Sequence, residues 1–564
     1  MPSLTKKIIG GRPYYYLREC QRVDGKPKII WQQYLGSPAE LVQRLQHGGT
    51  PETAVIREFG ASSACLQVAR QLDVAGAIDR AVPKRKSEGV SVGQYLLIAV
   101  LNRCVAPCSK TQLRAWYEQT VLPRLLGVRP KQLSSQRFWD NMDRIDEQAI
   151  TRIGAELADI AVRQFGLDLR CLLFDATNFF TFVDSFNLRA KLPQRGHSKE
   201  GRDNLRLVGL ALLVSADGDV PLFHHCYAGN QHDSTIFGTL IEQIGSQCRT
   251  LAGGLNDLTL VFDKGNNSKE NLTEVKDTEL HFVGSLVPTQ HSVLLAIPRK
   301  QMRRLDKAQL PAVWAYRTQQ KVFGVQRTVL VVFNRPLYQS QVKTLRREIN
   351  KRCRKFKTLH VALQRSARRT RGKKPTLEGT RKRVDGILSG RHMKDLFSAQ
   401  VTAGKGSRIQ LRWRFKARAW KTLQTSLLGK TILFTDRADW SDEQIVRAYR
   451  SQAHVESAFR AMKDPHFLSF RPTHHWTDQK LRVHALYCVI ALMVTSLLRR
   501  QLAQAGISMS LARMLERLAN VREVSLLYQD PHAKTPRTQT ILSATDNEQN
   551  KLLAALDLKA SRAT

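Results

Sequence analysis

Hydrophobic and polar positions change rhythm several times along the chain, and each change predicts a different kind of element. Tyr14–Val23 and Lys28–Leu35 are rich in aromatic and β-branched residues and flank Asp24-Gly25, a strong hairpin signal. They predict a small β-hairpin module over residues 1–50. From about Thr53 to Phe165 apolar residues recur three and four apart, with breaks at Pro83, Pro107, Pro123 and Pro130, which predicts a helical domain over 51–165. Lys and Arg are spread through it, so it is a candidate for binding DNA; a plain packing domain has the same pattern.

The rhythm then turns to strands. Arg170–Phe182 (RCLLFDATNFFTF) reads as a buried strand, Leu205–Val214 as a second, and Asp217-Gly218 turns the chain into a third at Val220–Cys226. Ser234–Ile244 reads as a helix, and Leu258–Phe262 and His281–Leu286 as further strands. Three turn-connected strands followed by strands alternating with helices predict a mixed sheet in an α/β domain over 166–292. That rhythm is lost over 293–430, where strand-like runs (Gln326–Phe333, Ile409–Phe415) flank a very basic stretch. It resumes over 431–505 with a strand at Thr431–Thr435, a long helical pattern at Ser441–Lys463 capped by Ser441, and another at Gln479–Gln501. Residues 506–564 read as a helical C-terminal region. No internal repeats are found.

Charge changes the picture most. The 564 residues carry 89 Lys+Arg against 48 Asp+Glu, a net charge of +41. Such an excess repels itself in a compact fold and calls for an anionic partner, of which nucleic acid is the first candidate. Between Gln341 and Pro375 fourteen Lys and Arg residues meet one acid, Glu348; a solvated face is the ordinary reading of such a run, and a phosphate-tracking surface the reading once DNA is implied. Nine scattered cysteines suggest free thiols in a reducing cytosol, so the expected location is the cytoplasm of a bacterial-type cell, nucleoid-associated when bound to DNA. Cys104 and Cys108 lack the second pair of a zinc site, and His224 and His225 are strand neighbours that point to opposite faces. The apolar run Ala485–Leu498 is shorter than a bilayer requires, so no membrane partner is expected.

Asp175 and Asp263 each end an apolar strand, in LLFDA and LVFDK. One such Asp is often a turn residue. Two on one sheet, with Glu456 from the helical stretch YRSQAHVESAFRAMK, suggest hard oxygen ligands for Mg²⁺ or Mn²⁺, since clustered carboxylates repel unless a cation neutralises them. Two such ions, about 3.5–4 Å apart, would activate a water or 3′-hydroxyl and stabilise the leaving oxygen in phosphoryl transfer.

These residues carry a resemblance to insertion-sequence transposases of the Asp-Asp-Glu class, in the superfamily of insertion sequence four. That group places its glutamate in a signature of Tyr, two residues, Arg, three residues, Glu, six residues, Lys. Tyr449, Glu456 and Lys463 match it, Gln452 stands at the Arg position, and Arg460 lies one turn beyond the glutamate. GHSKEGRDN (Gly196 to Asn204), AGNQHDS (Ala228 to Ser234), Lys264-Gly265 after the second aspartate, and HWTDQKLRVH (His475–His484) are similar to other stretches of the group, over roughly Phe174–Leu492. The resemblance implies an RNase H-like core in two parts (166–292 and 431–505) with an insertion domain between them. It implies catalysis by Asp175, Asp263 and Glu456 as ligands of two Mg²⁺ or Mn²⁺ ions, with DNA contacts from Tyr449, Gln452, Arg460 and Lys463. It further implies cleavage at terminal inverted repeats and strand transfer into target DNA by a homodimer. An RNase H-like nuclease, a domesticated recombinase and an inactive DNA-binding repressor are the alternatives.

Overall fold

A computed structural model describes residues 2–23, 26–47, 51–83, 89–202, 204–253, 257–368, 374–404, 408–471, 473–528 and 537–559. The expected Asp24-Gly25 turn and the basic residues Arg369, Arg371 and Lys373 lie outside them. The chain divides into two compact units, Met1–Ile153 with Ala461–Phe470 and Gln479–Thr564, and Gly154–Arg460 with Arg471–Asp478.

The first unit opens on an antiparallel sheet of three strands, β1 (Ser3–Ile9), β2 (Arg12–Val23) and β3 (Lys26–Gly36), in that order. β1 joins the expected hairpin as a third strand; its SLTKKII run is exposed nearly throughout, so no buried face marks it in the sequence. Thr53–Glu58, at the start of the span expected as helical, is instead strand β4, and its β-branched residues fit a pleated surface. Helices follow, among them Gly60–Gln71 and Val92–Val105, both largely buried. The helix Asp478–Gln504, with 27 residues, is long and apolar enough by composition to cross a membrane, and 94% of its most apolar window is buried inside the structure. It serves as a core helix: Tyr487 meets Phe138 edge to face at 6.2 Å, and His484 bonds the Phe470 carbonyl at 2.7 Å.

The second unit is built on nine strands. β5 (Cys171–Phe180), β6 (Leu207–Ser215) and β7 (Pro221–Ala228) form an antiparallel meander, and β8 (Thr259–Val261) and β9 (His281–Leu286) continue the sheet parallel to β5. β10 (Arg303–Arg304), β11 (Val313–Val322) and β12 (Val325–Asn334) extend its far side, and β13 (Phe397–Ala403) and β14 (Ile409–Phe415) form a separate ribbon. β15 (Lys430–Thr435) pairs with both β9 and β12, giving the order β10-β11-β12-β15-β9-β8-β5-β6-β7. Thus β11 and β12, inside the span expected as an insertion, belong to the central sheet. Their connection turns at Phe323 and Gly324, both with positive φ (48° and 85°), the backbone a two-residue hairpin turn requires.

What stands outside the sheet between β12 and β15 is the 34-residue helix Arg335–Arg368, the helix Leu377–Leu388 and the β13–β14 ribbon. These elements have their own core, in which Phe356 stacks on Trp413 at 5.2 Å and packs against Phe397 at 5.7 Å. The last strands, β16 (Arg522–Tyr528) and β17 (Arg537–Leu542), arise in a region expected to be helical and pair with β4 in the first unit.

Candidate active site

The strand motifs LLFDA and LVFDK place phenylalanine before aspartate, and the two-residue period of a strand sends them to opposite faces. Phe174 and Phe262 pack against Phe237 of the helix Asp233–Ala252, at 4.9 and 5.0 Å between ring centroids. Gly284 makes room on that face: a Cβ there would lie 2.7 Å from the Phe434 ring and 3.2 Å from that of Phe262. Asp175 and Asp263 are thereby directed to the other face. The parallel register of β5 and β8 runs Cys171 with Thr259, Leu172 with Leu260 and Leu173 with Val261, and Asp175 and Asp263 each follow its last pair by two residues, near enough for the Asp263 charge to act on Asp175. β8 and β9 in the same way carry Ser285 beside Asp263.

The second helical pattern differs from the continuous helix expected. It is two helices, Asp442–Arg450 and Gln452–Lys463, with Ser451 between them. The Ser441 side chain accepts the Gln444 N–H and the Gln444 side chain returns the bond, a capping box. Asp442 is buried and held by Arg303 and Arg317, each at 3.2 Å. This anchors the helix that delivers Tyr449, whose hydroxyl donates to Ser285 Oγ at 2.9 Å; Ser285 Oγ donates in turn to Asp263 Oδ1 at 3.5 Å. Burial holds the Tyr449 phenol above its ordinary range; the charges of Asp263 and Glu456 push the same way, against the Ser285 bond. Asp263 and Glu456 thus act on one side chain.

Gln452 does not present itself to a ligand. It is buried, and its Nε2 donates to the Phe174 carbonyl at 3.0 Å. The bond ties the helix carrying Glu456 to the strand residue preceding Asp175. Glu456 and Arg460, further along the helix, are exposed. Lys463 ends the helix and falls in the first unit. Residues 449 to 463 therefore do not line one continuous helix face, because the helix breaks at Ser451 and Gln452 turns inward.

Burial raises the Asp175 carboxyl to about 6; Lys199 and the Ala176 N–H oppose the rise, and the nearby Asp233 and Asp263 charges add to it. Lys199 Nζ donates to the Ala176 carbonyl at 2.8 Å and pairs with Asp233 at 2.9 Å. The Tyr227 hydroxyl donates to Asp233 Oδ1 at 3.5 Å. Lys199 and Asp233 come from GHSKEGRDN and AGNQHDS, so these two segments meet beside the first aspartate. Their roles, and that of Ser285, were missed in the sequence; only the quoted motifs hinted at Lys199 and Asp233. HWTDQKLRVH holds the segment that follows β5, through the Trp476 carbonyl accepting from Asn187 at 2.9 Å and Asp478 accepting from the Leu192 N–H at 2.8 Å.

Among the described residues no three or more His, Cys, Asp and Glu side chains converge closely enough to cage a metal ion. The chemistry of the donor set nonetheless fits a hard divalent cation. Asp263 follows the end of β8, whereas Asp175, expected at a strand end, lies in the middle of β5, whose ladder with β6 runs on to Phe180. The Asp175 carboxyl is disfavoured as an anion by burial and by its neighbours, a penalty that a bound cation relieves.

No curated protein matches the chain. Among solved structures, that of a piggyBac transposase synaptic complex with hairpin DNA is similar over 83% of this chain and 82% of its own, with 8% identity and a TM-score of 0.35. The model of the transposase DDE domain family matches residues 179–494, starting four residues after Asp175 and taking in Asp263 and Glu456. Enzymes of that family generally use divalent metal ions. Because the match covers more than half of its length, the chain belongs to the transposase DDE domain family and is a DNA transposase, an enzyme of DNA cleavage and strand transfer.

Proposed function

We propose that Asp175, Asp263 and Glu456 are the metal-holding carboxylates of this transposase, on a core of RNase H type. The observation that supports the reading is the register of β5 and β8, whose last pair, Leu173 with Val261, precedes Asp175 and Asp263 by two residues each, together with the charges of Asp263 and Glu456 that both act on Tyr449. The core type is supported by the strand order β9-β8-β5-β6-β7, a meander of three antiparallel strands followed by two parallel to the first.

Two Mg²⁺ or Mn²⁺ ions, when bound, would activate the attacking oxygen and stabilise the leaving one. The rest is the work of the chain. Tyr449 and Ser285 fix the Asp263 carboxylate by a relay of hydrogen bonds, and Gln452 fixes the glutamate helix to β5. Lys199 and Asp233 set the charge around Asp175 and tie down the loop after β5. Phosphate is drawn by the cationic surface, most densely by the helix Arg335–Arg368, where Arg347, Lys351, Arg354 and Lys355 line a groove of about 900 Å³. The proposal includes terminal inverted repeats as the DNA cut, and two copies of the chain holding a pair of ends.

The test is cleavage of an end duplex by Asp175→Asn, Asp263→Asn and Glu456→Gln, each nearly isosteric. Each is expected to bind the duplex and fail to cut it with Mg²⁺ or Mn²⁺. Retained cleavage by any one removes that residue from the site.

A further inference from the structure

The N-terminal sheet carries chemistry that the cleavage site does not use. Between Ser3 and Gly36 the sequence has seven Lys and Arg against two acids, Glu19 and Asp24. β2 lies between β1 and β3, and its alternation puts Arg12, Tyr14, Tyr16, Arg18 and Arg22 on one face. Pairing adds Lys7 beside Tyr14, Tyr34 beside Tyr16, and Ser3 and Gln32 on either side of Arg18. Tyr34 closes on Tyr16 at 5.2 Å and on Tyr14 at 6.1 Å, and the Arg18 guanidinium lies 5.3 Å over the Tyr16 ring. The tyrosines make a platform, with Arg12 before it along β2 and Arg18 and Arg22 beyond it. The opposite face is of another kind, with Leu4 and Ile8 at 62% and 66% exposure beside Leu17 and Pro13.

We infer that the Arg–Tyr face of the β1–β3 sheet docks in the major groove of duplex DNA and reads base sequence there. Charge selects the partner: Lys7, Arg12, Arg18 and Arg22 stand on this face with no acid among them, the tyrosine hydroxyls lie between, and the apolar Ile9, Ile29 and Pro27 are single residues beside Arg12, Cys20 and Arg22, so the face as a whole complements a polyanion. Size is compatible, because neighbouring strands lie about 4.8 Å apart, so the outer two are separated by roughly 10 Å, against a major groove about 12 Å wide. Arginine is the side chain suited to bidentate recognition of guanine, and three arginines on one face of one strand, six and four residues apart, supply three such forks. The helices Gly60–Gln71 and Val92–Val105, in the region first considered for DNA binding, use most of their surface in packing. The inference rests on the reading of the chain as an enzyme that acts on defined duplex ends, and it assigns recognition of those ends to this sheet.

The test uses the full-length protein and a pool of 30-base-pair duplexes of randomised sequence, with the bound fraction sequenced. The wild-type chain is expected to enrich a motif, and Arg12→Gln/Arg18→Gln/Arg22→Gln to lose that enrichment, with affinity for the selected duplex down roughly 100-fold and for an unrelated duplex much less. Arg12→Lys/Arg18→Lys/Arg22→Lys keeps the charge and removes the fork, so it is expected to lose the motif while keeping the salt dependence. Lys6→Gln/Lys28→Gln, on the other face, should leave the motif intact. Circular dichroism establishes that each variant is folded, and the lysine variant serves if the glutamine variant is not. Asp175→Asn should keep the motif and lose cleavage, which separates failure of this inference from failure of the cleavage-site reading. The inference is overturned if the arginine variants still enrich the wild-type motif, if both duplexes weaken by equal factors, if the wild type enriches nothing, or if the only change is in self-association.

Discussion

The central sheet and the N-terminal sheet share one geometry and use it in opposite ways. In the central sheet both faces are covered, and a charged side chain is placed there at a penalty: burial lifts Asp175 to about 6. Function in that sheet depends on a few polar groups held in exact register by aromatic packing on the reverse face. In the N-terminal sheet the strands are largely exposed, and charges sit on them at little penalty, in numbers. The first arrangement suits chemistry on one bond; the second suits attachment to a long polyanion. Side chains of the first kind should govern rate with little effect on affinity, and exposed basic surfaces the reverse.

The largest expected effect is in the first class. Asp175→Asn, Asp263→Asn or Glu456→Gln should lower single-turnover cleavage by about a thousandfold or more, roughly 4 kcal/mol of transition-state stabilisation, with DNA affinity within about threefold of wild type. Gel-shift and cleavage assays on one duplex check both halves. An equal loss of affinity would erase the distinction between the two kinds of surface.

The mirror image is the helix Arg335–Arg368. Arg346, Arg347, Lys351, Arg354, Lys355 and Lys357 are exposed along it, while Arg352 turns inward to Glu348 and the Ser389 carbonyl. Replacing the six with Gln should flatten the slope of log affinity against log salt by roughly 5. Specific and unrelated duplexes should weaken by similar factors, since phosphate contacts carry no direct sequence information. Salt titrations on both duplexes measure this; loss confined to the specific duplex would make the helix a base reader.

A pH series sharpens the comparison from within the central sheet. The Asp175 carboxyl is raised above its ordinary value, so without metal it gains a proton as pH falls through about 6. Metal and proton then compete for it. Cleavage at low Mg²⁺ should fall as pH drops through 6 and be restored by more Mg²⁺ at the same pH. A fall that no Mg²⁺ concentration reverses would place the titration elsewhere.

Smaller effects come from the positioning residues. Gln452→Ala removes the bond to the Phe174 carbonyl and should lower unfolding free energy by about 1 kcal/mol. Lys463→Ala should reduce cleavage more than affinity, because one lysine adds little to a broad basic interface. Denaturant melts and paired binding and cleavage assays read these out.

How much of this was legible in the sequence follows from burial. β8, β9 and β15 lie in apolar runs bounded by turn residues, and the sequence pattern finds them nearly to the residue. β1 and β4 escape it: the first is an exposed strand without a buried face, the second is six residues abutting a helix. β16 and β17 are only partly buried, and their sheet forms through the distant β4, a pairing that local pattern does not contain. The carboxylates were visible because an acid directly after an apolar run is conspicuous, although the structure carries β5 on past Asp175. The side chains around them were not. Ser285 is one small polar residue in a strand, and its place beside Asp263 is set by register across β8 and β9. Ser451 interrupts a helical pattern with no Gly or Pro to mark the break, and Gln452 reads as a surface residue until Phe174 is seen above it.

Binding of a divalent ion at Asp175, Asp263 and Glu456 is tested without any DNA by where a redox-active ion cuts the chain. Fe²⁺ substituted for Mg²⁺, with ascorbate and peroxide, generates hydroxyl radicals that cleave the polypeptide within a few ångströms of the metal. Fragments are expected to end near residues 175, 263 and 456, all suppressed by excess Mg²⁺ and all lost in Asp175→Asn. Cuts clustered at His224 and His225, or a pattern that Asp175→Asn leaves unchanged, would contradict that binding.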